Sequence, residues 1–506
     1  MSVAIFSSKD EDCIERKVQV RNNERTPPSE VDSVYGIEGC VQWIAAGQYK
    51  RIALQFPNEL MGDAVLVSEK IEALIEGKVF ILGDTAYGSC CVDEVSAEHC
   101  VADCILHYGH ACLSPTRRLP VLYVFGHSPF QTSHCVEGFR ELFPNKDEKV
   151  IVMYDTVYYY AIEELKQLLE SECTNLVVSE LLLPDTRQDS SCQTEDSHSG
   201  ESSIQTICKC GRRLKLSFGA DVDSYSIFYV GDEGPTLTNM IMTFNKSKFY
   251  SYNPATKTSR KESLNVNRAL MKRFYLIEKA KDAQIVGIVV GTLGVSNFAD
   301  IINQLKKVIH LAGKKSYTFV VGKLNVAKLA NFMEIDIFVY VACPENTLLD
   351  SSDFYKPVIT PFEMEMACNK ARTWAGEIYT DFTQLLPGAA SYVEMCDDDC
   401  EESDVSLITG KLRHIGRASA DDKVGAVVKR SELWTMAPQS KSAAEFLSDR
   451  SWKGLEQGVG ETPVSLAIEG ARGIAISYAG EGERNVALKG SPKIAIEYEV
   501  EKEENG

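Results

Sequence analysis

Residues Val79–Pro115 read VFILGDTAYGSCCVDEVSAEHCVADCILHYGHACLSP, and this stretch predicts two strands that end in cysteine-containing loops. The apolar run Val79–Leu82 predicts the first strand, a helix is predicted over 92–102, and a second strand over 104–107. Two strands joined through a helix run parallel in α/β folds. The stretch therefore predicts a βαβ unit whose strand ends meet at one edge of a sheet.

Each of these strand ends brings thiols to that edge. Cys90 and Cys91 follow the first strand, and Cys112 follows the second. Ligands bind at the carboxyl edge of open α/β sheets, so thiols from two loops indicate half of a metal or cluster site. Free cysteines are also common as buried packing residues, and that interpretation stays open beside metal ligation.

A further thiol occupies an equivalent position far along the chain. Cys343 follows the predicted strand 335–341 and precedes Pro344, which has no backbone N–H to continue a ladder. Three thiols at three strand ends favour a shared site over independent packing roles.

Composition restricts the class of protein. The net charge of −19 argues against nucleic acid or an anionic membrane as the main partner. No apolar run reaches the roughly 20 residues of a membrane span, and the polar N-terminus does not read as a secretory signal. Sixteen cysteines without such a signal predict a cytoplasmic protein whose thiols serve as ligands or packing groups.

Strand and helix patterns restart twice along the chain, which predicts an α/β protein of three similar βα domains with mainly parallel, four-stranded sheets. The predicted parts are a mobile arm (1–35), a first domain (36–145), a second domain (146–283) with a polar insertion (185–207), a third domain (284–395), and a mostly irregular acidic tail with docking islands (396–506).

The donor set indicates the kind of metal. Three cysteines without a Cys-x-x-Cys pattern do not suit a structural zinc, which takes four ligands. They suit a [4Fe-4S] cluster, in which a fourth iron would stay open to a small molecule. His107 and His110 are alternative ligands, although ordinary roles at a strand end and in a loop are favoured for both.

Two further motifs carry weaker predictions. Cys208 and Cys210 could be the metal contribution of the middle copy, but they border the polar insertion and are better interpreted as exposed thiols. Gly291–Gly294 follows a strand, lacks any nucleotide-binding pattern, and is predicted to be a turn that brings backbone close to the site.

Several of these residues resemble the diphthamide synthesis family. Within that family, the doubled cysteine and the tail motif are similar to the second subunit of the eukaryotic heterodimer. The stretches that carry the resemblance are RIALQFP (51–57), GDTAYGSCCVD (83–93), HYGHACLS (107–114), GTLGV (291–295), KLANF (328–332), VACP (341–344) and SWKGLE (451–456).

The resemblance implies three domains arranged around a central cluster site. It also implies a role in the first step of diphthamide biosynthesis, in which a 3-amino-3-carboxypropyl group passes from S-adenosylmethionine to a histidine of translation elongation factor 2. The family enzyme uses a radical mechanism at a [4Fe-4S] cluster that is held by one cysteine from each of three domains.

This chain departs from that catalytic pattern, because its middle copy offers no cysteine at a clean strand end. The resemblance then implies Cys91, Cys112 and Cys343 as cluster ligands, with Cys90 as the alternate to Cys91. It implies a subunit that supports reduction of the cluster in a catalytic partner, which binds S-adenosylmethionine, with an iron–sulfur or flavin protein as electron donor.

Three alternatives stay open at this point. The chain could cleave S-adenosylmethionine itself, it could be a scaffold with a vestigial site, or its thiolates could bind zinc in place of a cluster.

Overall fold

The computed structural model describes residues 25–83, 87–184, 204–349, 353–395, 403–410, 412–414, 473–474 and 477–478. The chain divides into two compact units, residues 1–440 and 441–506. In the second unit the described residues are the two-residue strands β19 (Gly473–Ile474) and β20 (Ser477–Tyr478), which pair antiparallel. All other elements belong to the first unit.

The first sheet contains the strands that the opening stretch predicts. Its strands are β1 (Arg51–Gln55), β2 (Lys78–Leu82), β3 (Cys104–Tyr108) and β4 (Val121–Val124), in the order β2-β1-β3-β4. All three pairings are parallel. The strands β1 and β3 are almost wholly buried, as continuous apolar runs in parallel sheets usually are.

The middle sheet is larger than predicted. Its strands are β5 (Lys149–Tyr154), β6 (Asn175–Val178), β10 (Ser226–Val230), β11 (Lys248–Asn253) and β12 (Thr258–Lys261), in the order β12-β11-β10-β5-β6. Only β12 pairs antiparallel. A separate antiparallel sheet follows β6 and has the order β7-β9-β8, from β7 (Glu180–Leu181), β8 (Ile204–Lys209) and β9 (Arg212–Ser217).

The third sheet repeats the order of the first. Its strands are β13 (Ile285–Val290), β14 (Lys315–Val320), β15 (Ile337–Val341) and β16 (Val358–Ile359), in the order β14-β13-β15-β16. All pairings are parallel. Two strands of the tail, β17 (Ser403–Val405) and β18 (Leu412–His414), form an antiparallel pair.

Helices connect and flank these strands. They are α1 (Val31–Val34), α2 (Ile37–Gly47), α3 (Ala64–Glu72), α4 (Glu94–His99), α5 (Thr132–Leu142), α6 (Ile162–Glu170), α7 (Pro235–Thr243), α8 (Ser263–Asp282), α9 (Phe298–Leu311), α10 (Val326–Ala330) and α11 (Pro361–Cys368). Short 3₁₀ turns occupy 61–63, 156–161, 222–224 and 382–385. No helix among the described residues is long and apolar enough to cross a membrane.

The predicted α/β fold class with mainly parallel sheets is confirmed. The division into three similar domains, with its boundaries, stays a prediction. In the predicted arm, Val31 and Tyr35 are buried, and the Tyr35 hydroxyl donates to Asp63 Oδ2 at 2.8 Å, so this part is packed on the first sheet's helices. Residues 1–24 lie outside the described part of the chain.

The predicted polar insertion extended too far. Residues 185–203 lie outside the described part, but 204–207 belong to β8 and pair with β9. Several residues of β8 are polar, and this composition favoured an irregular segment. A polar strand is defined by its pairing with a partner strand, which the sequence of one strand alone does not show. Most of the tail also lies outside the described residues.

Candidate metal centre

Four cysteine thiols meet in the core between the sheets. The Sγ atoms of Cys90, Cys91, Cys112 and Cys343 all lie within 4.8 Å of one another. The Sγ distances are 4.0 Å between Cys90 and Cys91, 3.8 Å between Cys90 and Cys343, and 3.9 Å between Cys91 and Cys112. All four are free and buried. The structure thus brings together the three predicted ligands and the predicted alternate.

Strand ends deliver these thiols. Cys90 and Cys91 lie in the loop between β2 and α4, Cys112 lies four residues beyond β3, and Cys343 lies two residues beyond β15. The backbone N–H of Cys112 donates to the carbonyl of Cys90 at 3.1 Å, which joins the two loops of the first sheet. Convergence of carboxyl ends therefore forms the group.

Glycines let the loops approach closely. A Cβ on Gly88 would lie 2.1 Å from the side-chain nitrogen of Asn346, and a Cβ on Gly294 would lie 2.4 Å from the carbonyl oxygen of Val92. The first contact joins the Cys90 loop to the loop after Cys343. The second brings the backbone at Gly294 against that of Val92, the residue next to Cys91, whereas the turn predicted over Gly291–Gly294 stays a prediction.

Asn346 is a polar residue of this site that sequence reasoning missed. Its side-chain N–H groups donate to Cys90 Sγ and Cys343 Sγ, each at 3.3 Å. Its position three residues after Cys343 was a usable signal, since a turn at a strand end returns such a side chain to the site.

Replacing Asn346 with alanine should make a bound cluster harder to reduce, because hydrogen bonds to sulfur stabilise the more negative, reduced state. A net hydrogen bond of roughly 1 kcal/mol corresponds to about 40 mV for one electron. Potentiometric titration of the reconstituted chain measures this shift. Asn331→Ala, at the exposed end of α10, is the control, and equal potentials in both variants would contradict the assignment.

Gln55 supports the Cys91 loop from the end of β1. Its side-chain N–H donates to the carbonyl of Cys91 at 2.7 Å, and its Oε1 accepts from the backbone N–H of Asp93 at 2.9 Å. The residue is 2 % exposed. Both polar ends of a buried amide are therefore satisfied by the loop that carries the thiols.

Gln55→Leu should lower the free energy of unfolding by about 1–3 kcal/mol, because it leaves a buried carbonyl and a buried N–H without partners. Urea denaturation measures the loss. Gln42→Leu is the matched control, since Gln42 is exposed on α2 and bonds, within the described part of the chain, to Glu38. A loss no larger than in the control would show that the loop does not depend on Gln55.

Hydrogen bonds among the four thiols separate their pKa values. Interactions with Cys343, Cys90 and Cys91 stabilise the Cys112 thiolate and hold the pKa of Cys112 well below its usual value. The hydrogen bond with Cys112, together with burial, raises the pKa of Cys90, Cys91 and Cys343. Among the four thiols, the thiolate form is therefore favoured most at Cys112.

The two histidines do not join the thiols. The described residues that form the candidate ligand group are the four cysteines. His107 Nε2 lies 3.2 Å from the carbonyl oxygen of Ser89, and burial lowers the pKa of His107 to about 4, so its ring is neutral at pH 7. His107 holds the backbone just before Cys90, in agreement with the ordinary role predicted for it.

His110 joins the carboxyl edges of all three sheets. Its Nδ1 lies 3.0 Å from Asp155 Oδ1, after β5, and its Nε2 lies 2.7 Å from Glu345 Oε2, after β15. Thr236, at the start of α7, lies 3.3 Å from the same Nε2. Both ring nitrogens are thus occupied by oxygen atoms, which leaves neither for a metal.

Charge pairing dominates the electrostatics of this junction. Burial lowers the pKa of His110, but Glu345 and Asp155 outweigh it and raise the pKa well above its ordinary value. Burial likewise raises the pKa of Asp155, yet His110 and Arg212 reverse the shift and lower it. For Glu345 burial outweighs the attraction of His110, so its pKa is raised.

Two of the cavities are lined by thiols of this group. Cys90, His110 and Glu345 line one of about 670 Å³. Cys112 lines another of about 340 Å³, together with Cys208 and Cys210. Those two cysteines stay outside the four-thiol group, and the Cys210 thiol donates to Thr243 Oγ1 at 3.3 Å.

The donor set fits a thiophilic metal or an iron–sulfur cluster. Buried thiols with amide N–H donors to sulfur are the surroundings in which such groups are held. The geometry also provides a fourth thiol, which the three-ligand argument against zinc did not include.

Comparison with known proteins identifies the relatives of this chain. The sequence model of the diphthamide synthesis protein family matches residues 56–380. The chain belongs to the diphthamide synthesis family. It is 50 % identical over 496 residues to a protein of Danio rerio named 2-(3-amino-3-carboxypropyl)histidine synthase subunit 2, covering 95 % of this chain and 98 % of that protein.

Other relatives of the same name agree. The Xenopus laevis protein is 47 % identical, covering 95 % of this chain and 99 % of its own. The Schizosaccharomyces pombe protein is 38 % identical, covering 89 % and 91 %. These relatives are subunits of a synthase in diphthamide synthesis, which implies a transferase complex.

A solved structure shows the same fold. The crystal structure of Dph2 from Pyrococcus horikoshii with a 4Fe-4S cluster has a TM-score of 0.50 and 22 % identity, covering 70 % of this chain and 94 % of that one. At this identity the likeness concerns the fold.

Proposed function

We propose that this chain is the iron–sulfur subunit of the heterodimeric complex for the first step of diphthamide biosynthesis. That complex transfers a 3-amino-3-carboxypropyl group from S-adenosylmethionine to a histidine of translation elongation factor 2. The observation that carries the proposal is the buried group of four thiols, in a chain related to the synthase's second subunits.

In this proposal Cys91, Cys112 and Cys343 hold a [4Fe-4S] cluster, and Cys90 is the alternate to Cys91. The cluster, when bound, supplies single electrons. The chain's own residues do the rest: Gln55 and His107 hold the Cys90–Cys91 loop, and Asn346 donates hydrogen bonds to sulfur. Burial of the thiols limits their contact with water.

The role proposed for the chain is to support reduction of the cluster in a catalytic partner subunit, which binds S-adenosylmethionine. The first sheet contributes three of the four thiols, whereas the described part of the middle sheet contributes none. This distribution differs from the catalytic pattern of the family, in which each of three domains contributes one cysteine ligand. An iron–sulfur or flavin protein would donate electrons, and the complex would act in the cytoplasm.

The experiment compares this chain alone, the catalytic subunit alone and the complex, all reconstituted anaerobically. We expect the lone chain to show the electron paramagnetic resonance signal of a reduced [4Fe-4S] cluster without cleaving S-adenosylmethionine. We expect the complex to modify elongation factor 2 with substoichiometric reductant. Cleavage by the lone chain would instead make it a radical-forming subunit, and full activity of a complex without the thiols would make it a scaffold.

A second candidate is a structural zinc site. Tetrahedral zinc–thiolate bonds of about 2.3 Å place sulfurs about 3.8 Å apart. The observed Sγ distances of 3.8–4.0 Å are close to that value. Metal analysis of anaerobically purified protein decides: one zinc per chain with no sulfide supports this candidate, and about four irons with sulfide exclude it.

A further inference from the structure

We propose that the β8–β9 hairpin is a positioning element for Cys112. The middle part of the chain contributes no thiol to the described group. It contributes instead a glycine turn that packs closely against the loop carrying Cys112. This packing determines where the Cys112 thiol lies. The proposal rests on the proposed function only in assuming that the thiols bind a metal.

The turn itself is tightly defined. Lys209 pairs with Arg212, so only Cys210 and Gly211 form the loop. Their φ angles are 52° and 67°, both left-handed. Two left-handed residues match the twist of a two-residue hairpin, and glycine takes the second position without strain.

The turn contacts the Cys112 loop directly. A Cβ on Gly211 would lie 2.6 Å from Leu113 Cβ and 3.5 Å from the carbonyl oxygen of Cys112. Leu113 is 2 % exposed and has a φ of 56°. A leucine in the left-handed region is strained, and such strain persists only where the surroundings impose it. The hairpin is one of the surroundings that impose it.

Hydrogen bonds hold the turn in place. Arg212 is 3 % exposed, and its guanidinium donates to the carbonyl of Tyr154 at 2.6 Å and to that of Cys210 at 3.0 Å. The Gly211 carbonyl accepts from the backbone N–H of Leu182 at 2.9 Å. Tyr154 ends β5, so the hairpin tip is tied to the carboxyl edge of the middle sheet. The sheet that lacks a ligand thus supports one from its neighbour.

The test compares Gly211→Ala with Gly219→Ala in the full chain. Gly219 also has a left-handed φ, of 75°, but no atom lies within 4 Å of its Cβ position. Both variants therefore place alanine in a left-handed backbone conformation. Only the alanine at position 211 would collide with the loop that carries Cys112. The readout is anaerobic titration with Co²⁺ alone, whose absorption reports tetrahedral thiolate ligation.

We expect Gly211→Ala to weaken Co²⁺ binding about tenfold or more, as losses of ligand-supporting contacts commonly do. Gly219→Ala should stay within about twofold of the unsubstituted chain. Equal affinities in the two variants would overturn the positioning role.

A second variant keeps the proposal testable if Gly211→Ala folds poorly. Leu113→Gly removes the Cβ that alanine at 211 would meet and accepts the left-handed φ. The double variant should therefore bind Co²⁺ as Leu113→Gly does alone, because the contact that alanine disturbs is gone. Additive losses in this cycle would overturn the direct contact.

The outcomes separate this inference from the proposed function. Impaired Co²⁺ binding in Gly211→Ala, with no cluster formed by the unsubstituted chain, would support positioning and reject the cluster. A cluster in the unsubstituted chain, with Gly211→Ala unchanged in both Co²⁺ binding and resonance spectrum, would support the function and reject positioning. Failure of the unsubstituted chain to bind either group would reject both.

Discussion

Replacing Cys343 with alanine is expected to remove the cluster, lowering bound iron and sulfide at least about tenfold. Cys343 is the one thiol of the described group that the third sheet contributes. Without it, ligands would come from the first sheet alone, and a cluster would be open to solvent on one side. Iron and sulfide analysis and the resonance spectrum of the reduced protein measure the loss.

A matched control removes a buried thiol elsewhere. Cys135, in α5, is 0 % exposed and lies outside the four-thiol group, so Cys135→Ala should keep full iron content. Retention of the signal in Cys343→Ala would refute the assigned ligand.

The neighbouring pair requires its own comparison. Cys91→Ala should behave as Cys343→Ala does, whereas Cys90→Ala should retain the cluster. The reverse result would make Cys90 the ligand, and loss in both would indicate a cluster that is held by four thiolates.

His110→Ala is expected to lower the free energy of unfolding by about 3 kcal/mol. Removing one partner of a buried ion pair leaves uncompensated charge, which typically costs 3–5 kcal/mol. We take the lower end because the His110 side chain is 31 % exposed. In the variant, Asp155 and Glu345 would face one another across the junction of three sheet edges without a cation between them.

Denaturant unfolding of the full chain measures the loss, with two comparisons. His127→Ala removes an exposed ring that lies tilted against Tyr160 and should change stability little. Adding Glu345→Gln to His110→Ala should recover part of the loss, because it removes one of the two unpaired charges. A loss in His110→Ala no greater than in His127→Ala would show that the junction does not depend on the ion pair.

Local pattern was enough to predict most strands of the three sheets. The strands predicted over 79–82, 104–107 and 335–341 agree with β2, β3 and β15 to within two residues at each end. Strands buried on both faces show as continuous apolar segments, and Gly, Pro or Asn marks their ends. The helix predicted over 92–102 is shorter in the structure, where α4 covers Glu94–His99.

The middle part of the chain was the least predictable. The β8–β9 hairpin was partly assigned to a polar insertion, since its pairing depends on a partner strand and a two-residue turn. The sequence named Cys208 and Cys210 as possible metal ligands in this part of the chain. The contact proposed to matter for function is made instead by Gly211. A glycine's role in close approach depends on what lies opposite, which no local pattern records.

The sequence by itself determined which thiols stand at strand ends, because strand periodicity and the carboxyl-edge rule depend on local pattern alone. Only the tertiary structure decided that Cys90 joins Cys91, Cys112 and Cys343 in one group, and that Asn346 reaches two of the sulfurs. Only it decided, too, that His110 pairs with carboxylates. Those outcomes follow from how three sheet edges converge, and contacts between residues more than 200 positions apart leave no local trace.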